Sequence, residues 1–179
     1  EQGIVDAFEG IGDLERKMIR CVGVPQERFD EDALRILRAV RFAAQLDFTI
    51  EEETRRAVRE QAKFLRDISA ERIQTELTKL ITSNHPERIL DAWELGITAI
   101  VLPEFDAMME TPQHTVYHKY DVGRHTVAVM QNIEARPVLR WAALLHDSAK
   151  PMCRTTDEKG VDHFYGHPKA GSEIARQVL

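Results

Sequence analysis

The sequence predicts an all-α protein in two parts, 1–105 and 106–179, with at most one small β-hairpin near 153–165. Three observations predict it. Four segments of helical apolar period fill the first hundred residues and three more follow, so no stretch is left to build a sheet core. Pro86, Pro137 and Pro168 each stand at a helix-start position. The two parts also differ in chemistry, because all seven histidines lie beyond residue 84.

Taken in order, Asp30 followed by EDALRILRAVRFAAQL reads as an N-cap, an acidic first turn and a helix to about residue 46. The turn-like DFTI separates it from a second helix over about 51–65. Ser69 caps a third over about 70–82, and Pro86 opens a fourth that Gly96 ends. After Pro103, the stretch EFDAMMETPQHTVYHKY loses its period to Pro, His and Thr, which predicts a loop and places the boundary there. Helices return over about 122–134 and 137–149. A turn at Asp157–Gly160 between short runs predicts the hairpin, and Pro168 starts a last helix.

Composition bounds the function. With 43% hydrophobic residues, 30% charged and mean hydropathy −0.36, the chain has no run near the roughly 18 apolar residues of a membrane span. The N-terminus lacks the basic start and apolar middle of a secretory signal, so a cytoplasmic location is expected and no membrane partner. Cys21 and Cys153 are far apart in sequence and form neither a disulfide framework nor a zinc knuckle. A net charge of −6 excludes a whole-surface basic field, leaving room for a local basic stripe.

On a helix over 31–46, Ala33, Ile36, Leu37, Val40, Ala43 and Ala44 share one face, which is core. Asp32, Arg35, Arg38 and Arg41 follow at i+3 steps and form a slanting polar band. A carboxylate beside guanidiniums offers acceptors and planar donors that match a nucleobase edge, and further arginines can hold phosphate. The plainer alternative is a surface i,i+3 pair with solvated arginines. Leu34 and Phe42, pointing into the polar side, call for a cover over that face and for partners to its arginines.

The run from Ile4 to Phe48 resembles the neck of the class II CCA-adding tRNA nucleotidyltransferases and the related bacterial poly(A) polymerases. The resemblance rests on D-x-F-x-G-x-x-D-L at Asp6 to Leu14, Ile19-Arg20, the run RFDEDALRILRAVRFAAQL, and ERIQTEL at Glu71 to Leu77. Ala7 and Glu9 depart from the family's usual Pro and Gly. The resemblance implies that Asp32 and Arg35 read the base of incoming CTP or ATP, with Glu31, Arg38 and Arg41 also at the nucleotide. It also implies a Mg²⁺-dependent catalytic head, with its paired aspartates, lying N-terminal to this region. The chain alone is then expected to be inactive in nucleotide addition, and its partners are the 3′ end of tRNA or another RNA, CTP, ATP and the missing head.

In the second part, His146-Asp147 closes the apolar run WAALLHDSAK, preceded by His125 and followed by His167. Imidazoles with a carboxylate suit a divalent transition metal such as Mn²⁺, Ni²⁺ or Zn²⁺. Lys150, three residues past the doublet, could hold a phosphate. The spacing resembles the HD phosphohydrolase superfamily, whose H…HD…D signature implies a metal site at His125, His146, Asp147 and His167 and a last aspartate beyond residue 179. His114, His118 and His163 are minor candidates, and Met108, Met109, Trp93 and Trp141 are read as core. Three functions are in play: base selection and RNA support within a tRNA nucleotidyltransferase, a metal-dependent phosphohydrolase of phosphate esters or cyclic nucleotides, and a noncatalytic RNA-binding module.

Overall fold

The computed structural model describes residues 5–113 and 120–179. His114 and His118 fall outside the described residues. The fold is helical. Helices α1 (Gly10–Glu15), α2 (Pro25–Glu31), α3 (Leu34–Leu46) and α4 (Glu52–Gln61) come first, and a 3₁₀ turn, Ala62–Asp67, continues α4. Next are α5 (Ala70–Ile81), a 3₁₀ turn at Pro86–Arg88, α6 (Ile89–Glu94), α7 (Thr98–Val101) and α8 (Pro103–Met109). The second part holds α9 (Val122–Gln131), α10 (Pro137–Leu145), α11 (Lys150–Cys153) and α12 (His167–Val178). The expected hairpin is present as β3 (Thr155–Thr156) antiparallel to β4 (Asp162–His163), its turn fixed by Asp157 Oδ1, which accepts from Lys159 N and Val161 N at 2.9 Å each.

The structure corrects the sequence reading at four places. The helix expected over 31–46 starts only at Leu34, and a separate helix precedes it. Pro25 at a first-turn position starts α2 early, and the chain then breaks at Asp32, whose backbone is extended (φ −156°, ψ 102°). Its carboxylate accepts from Leu34 N at 3.1 Å, the side-chain competition with backbone that makes aspartate a helix starter rather than a helix interior residue. Second, the loop expected after Pro103 begins instead with α8, because Phe105, Met108 and Met109 recur at helical spacing and are all buried. Third, the helix expected to run to residue 149 ends at Leu145, and Lys150 starts a separate short one. Fourth, an unexpected parallel pair joins β1 (Met18–Ile19) to β2 (Thr49–Ile50), with Thr49 N donating to Lys17 O at 2.8 Å.

Burial follows the predicted face of α3. Ile36, Leu37, Val40, Ala43 and Ala44 are fully buried and Ala33 nearly so. Leu34 is also buried, inside this chain's own core, so it needs no outside cover. One hydrophobic cluster runs from Phe29 through Leu145 and takes in Phe105, Met108 and Trp141, with Trp93 packed at its edge. Helix α3 lies chiefly on α5, and α9 on α8 and α10. No helix among the described residues is long and apolar enough to cross a membrane.

Helix α8 comes close to α9 at Gly123. A Cβ there would overlap Met109 Sδ and stand 2.9 Å from Met109 Cα, and the backbone atom cannot swing away. Gly123→Ala should therefore cost about 1–3 kcal/mol through overpacking. Urea melts of the two proteins measure it, and a difference below about 0.5 kcal/mol, the range of an ordinary surface substitution, would show that α8 and α9 part easily.

Candidate functional site

Two constellations emerge, one around Asp32 and one around Asp147. At the first, the break between α2 and α3 leaves Asp32 in the link rather than on the helix wheel, so the slanting band does not form as predicted. Asp32, Arg35 and Arg41 each find a separate partner. Asp32 Oδ2 accepts from Arg72 Nη2 at 2.8 Å, while Oδ1 holds Leu34 N. Burial pushes the Asp32 carboxyl up, but the Arg72 and Leu34 hydrogen bonds prevail and its pKa is lowered. Arg35 Nη1 donates to Glu31 Oε2 at 2.5 Å and to Arg28 O at 2.9 Å. Glu31, bonded first by Arg35 and then by Arg28, is held below the ordinary carboxylate range.

Arg41 donates through Nε to Glu76 Oε2 at 2.9 Å and through Nη1 to Gln45 Oε1 at 2.8 Å, and its guanidinium lies 3.6 Å from the Phe42 ring centre. Arg38 is exposed. A surface cavity is lined by Asp32, Glu31, Phe29, Arg72, Phe64 and Asp67, and Arg35, Arg38 and Arg41 are not on it. The expected single groove is thus replaced by separate ion pairs, because the bend at Asp32 and the partners on α5 divide the band.

Sequence reasoning matched the Glu71–Leu77 run without assigning its charges. Arg72 and Glu76 are what that run contributes, one to Asp32 and the other to Arg41. A usable signal existed: Glu76 precedes Leu77 on the buried face of α5, where a carboxylate must be paired.

The second constellation assembles around Asp147, which is 3% exposed. Helix α9, started by Asp121 as its cap, presents His125 one turn in. His146 ends α10, Lys150 opens α11 and His167 opens α12. His146 Nε2 lies 3.1 Å and His125 Nε2 3.9 Å from Asp147 Oδ2, while His167 Nε2 lies 3.7 Å from Oδ1. The donor atoms of His125, His146 and Asp147 all fall within 4.8 Å of one another. All four predicted residues are brought together, with His167 on the opposite carboxylate oxygen.

Two ring orientations are fixed by the backbone. His146 Nδ1 lies 2.7 Å from Ala143 O and His167 Nδ1 2.7 Å from Phe164 O. Nδ1–H donation to these carbonyls turns each Nε2 toward Asp147. The hydrogen bond to Asp147 raises the His146 pKa against the effect of burial, with the Ala143 carbonyl adding to it. Burial alone would push the Asp147 carboxyl up, yet hydrogen bonds from His146 and Lys150 hold it at about 2.

Lys150 departs from its predicted role. It is buried, its ammonium lying 2.8 Å from Asp147 Oδ2 and donating to Gln113 Oε1 at 2.9 Å, rather than facing outward toward a phosphate. The reason is charge: a buried carboxylate needs a counter-ion, and Lys150 supplies it. Gln113 was missed, since nothing in the irregular segment around it marks a buried polar role. His163 stands apart on the hairpin, 3.1 Å from Asp157 and stacked on Tyr165.

Imidazole and carboxylate donors around one point fit a divalent cation. Ligands about 2.0–2.2 Å from a metal stand roughly 3.0–3.5 Å apart; the imidazoles stand 3.1–3.9 Å from the Asp147 oxygens, and the donor atoms of His125, His146 and Asp147 spread to 4.8 Å at most.

Comparison with known proteins places both constellations in context. Residues 47–109 match the family model described as "Probable RNA and SrmB- binding site of polymerase A", and residues 115–179 match the HD domain. The chain is 34% identical over 189 residues to the Multifunctional CCA protein of Pseudomonas fluorescens, covering 99% of this chain and 45% of that protein. It is 36% identical over 191 residues to the A-adding tRNA nucleotidyltransferase of Deinococcus radiodurans, covering 98% and 43%. The Bacillus stearothermophilus CCA-adding enzyme in complex with CTP superposes with a TM-score of 0.58 at 25% identity, over 97% of this chain and 39% of that one. The chain thus spans less than half the length of these relatives.

Proposed function

Because this chain belongs to the class II CCA-adding family through its body and HD regions, we propose that it supplies base selection and RNA support to a tRNA nucleotidyltransferase. The whole enzyme would add CCA, or A, to RNA 3′ ends from CTP and ATP in the cytoplasm, its Mg²⁺-dependent head lying outside this chain. In this reading residues 1–105 select the nucleotide and bind RNA, and 106–179 form the HD-type part.

The observation that carries the reading is the fixed carboxylate of Asp32. Held by Arg72 and Leu34 N, it is a preset acceptor, and Arg35 three residues on is a preset planar donor. Such a pair can read the amino group and ring nitrogen that cytosine and adenine share, without a nucleic-acid template. Glu31 and Arg28 hold Arg35, Arg72 holds Asp32, and Arg38, exposed beside them, is left for the nucleotide's phosphates.

In the enzyme that contains this chain, Asp32→Ala and Arg35→Ala should each remove about 1–3 kcal/mol of base recognition, the cost of stripping a buried polar group of its partner. Single-turnover incorporation of CTP and ATP against GTP and UTP measures it. A double variant with unchanged rate and unchanged preference would end the assignment.

The Asp147 cluster favours a second reading, a metal-dependent phosphohydrolase. His125, His146, Asp147 and His167 would hold a Mn²⁺, Ni²⁺ or Zn²⁺ ion, which when bound would supply a Lewis acid and an activated water. His146 and His167 keep their Nε2 atoms directed inward through the Ala143 and Phe164 carbonyls. Lys150 can turn from Asp147 to a substrate phosphate when Asp147 is otherwise neutralised. Turnover of a 2′,3′-cyclic nucleotide or a phosphomonoester by the purified chain with Mn²⁺, Ni²⁺ or Co²⁺ tests this reading, and no turnover with any of them would remove it.

A further inference from the structure

Between Arg56 and Arg66 the surface carries a ridge of cations to which neither constellation gives a task. Arg56 and Arg59 lie on α4, and Lys63 and Arg66 lie on the 3₁₀ turn that continues it. All four are exposed. Their spacing of three, four and three residues keeps them on one side as the helix tightens from 3.6 to 3.0 residues per turn. At 1.5 and 2.0 Å of rise per residue the ridge is about 17 Å long.

What sets these cations apart is their lack of carboxylate partners. Neighbouring arginines are paired: Arg55 with Glu94 at 2.7 Å, Arg72 with Asp32 at 2.8 Å, Arg88 with Asp47 at 3.0 Å. Among the described residues none of the four ridge cations has an ion pair, although Glu60 stands one helical turn from both Arg56 and Lys63. Arg59 and Lys63 also line a cleft with Trp93, shared with Glu60 and with the already paired Glu94. Exposed Phe64 sits beside them, its ring centre 5.2 Å from Lys63 Nζ.

We propose that this ridge is the seat of an RNA phosphate backbone, an inference that rests on reading the chain as part of an RNA-processing enzyme and adds where the RNA lies. A row of evenly spaced, unpaired cations matches a polymer of phosphates, and Trp93 and Phe64 are aromatic groups of the kind on which bases stack. The net charge of −6 on the chain repels a polyanion elsewhere and so directs it here. An acidic protein is the weaker candidate, because a protein interface needs a broad apolar centre and the large apolar groups beside the ridge are the exposed Phe64 and the half-buried Trp93.

The test is binding of a fluorescently labelled tRNA transcript to the full chain across a salt series. Four phosphate contacts predict that Arg56→Gln/Arg59→Gln/Lys63→Gln/Arg66→Gln lowers affinity at least tenfold and flattens the slope of log K against log[salt] by about three. The two half-sets, Arg56→Gln/Arg59→Gln and Lys63→Gln/Arg66→Gln, should each give about half of that change, which keeps the test valid if the quadruple variant misfolds. Lys159→Gln/Lys169→Gln, on the other part of the molecule, should stay within twofold of the parent. A folded quadruple variant with unchanged affinity and slope overturns the ridge alone. A parent chain that binds no tRNA overturns both the ridge and the RNA reading beneath it. Competition by poly-glutamate as effective as RNA of equal charge would assign the ridge to an acidic protein and overturn the proposal.

Discussion

Asp147→Ala is expected to destabilise the metal-free chain by about 3–5 kcal/mol, the cost of leaving a buried charge without its partner. Lys150 is 8% exposed and would keep only the neutral Gln113 Oε1. His146 would lose the acceptor that raises its pKa, and binding of Mn²⁺ or Ni²⁺ measured by calorimetry should vanish. Adding Lys150→Met to Asp147→Ala should recover a large part of the loss, since the orphaned ammonium is then removed. A single variant that melts with the parent would show that the pair is solvated and contributes nothing.

Acid should expose the same interaction in the metal-free protein. The Asp147 carboxyl is held at about 2 in the fold against an ordinary 3.8, so its contribution is present above the ordinary value and is lost as pH falls through the range between them. His146 runs the other way: its pKa is raised, so its contribution is present at lower pH and lost as pH rises through the raised value. Unfolding of parent and Asp147→Ala should therefore converge toward pH 2.

Glu76→Ala should open the seam between α3 and α5 with a loss of about 3 kcal/mol, near the lower end for a broken buried pair because Gln45 still accepts from Arg41. The Arg41 and Glu76 side chains are 11% and 8% exposed, so water cannot readily replace either partner. Lys79, which also touches Glu76 at 3.2 Å, is half exposed and can turn to solvent. Replacing both partners, Arg41→Met with Glu76→Leu, should come close to the parent in stability, because apolar groups of similar volume fit the same seam. Urea melts at neutral pH separate these outcomes, and a Glu76→Ala loss below about 1 kcal/mol, the range of exposed pairs, would mark the pair as superficial. The seam matters for function through geometry: α5 carries Arg72 and Glu76 together, so loosening it should also loosen the grip on Asp32.

How far the sequence reached can be read residue by residue. Apolar period identified the helices around Val40, Leu77, Val127 and Leu144, and the predicted buried face of α3 is the observed one, because burial of a stripe is decided locally by 3.6-residue geometry. Proline placed helix starts correctly at Pro86, Pro137 and Pro168, since its fixed φ and missing N–H act on the chain itself. The same local logic holds at Pro25 and Pro103, which start α2 and α8.

Resemblance to the HD superfamily grouped His125, His146, Asp147 and His167, and resemblance to the CCA-adding family singled out Asp32 and Arg35 from a band that residue types alone left open to a plain surface pair. The distribution of charge among partners was not legible. Arg72 meets Asp32 across 40 positions, Glu76 meets Arg41 across 35 and Gln113 meets Lys150 across 37, and no local rule links residues so far apart. Sequence by itself thus determined the long helices and their core faces, set by short-range sterics and amphipathic period. Tertiary structure alone decided that Lys150 turns inward and that Arg41 and Asp32 are drawn to separate partners on α5, because burial makes a charge seek whichever opposite group the packing brings within reach.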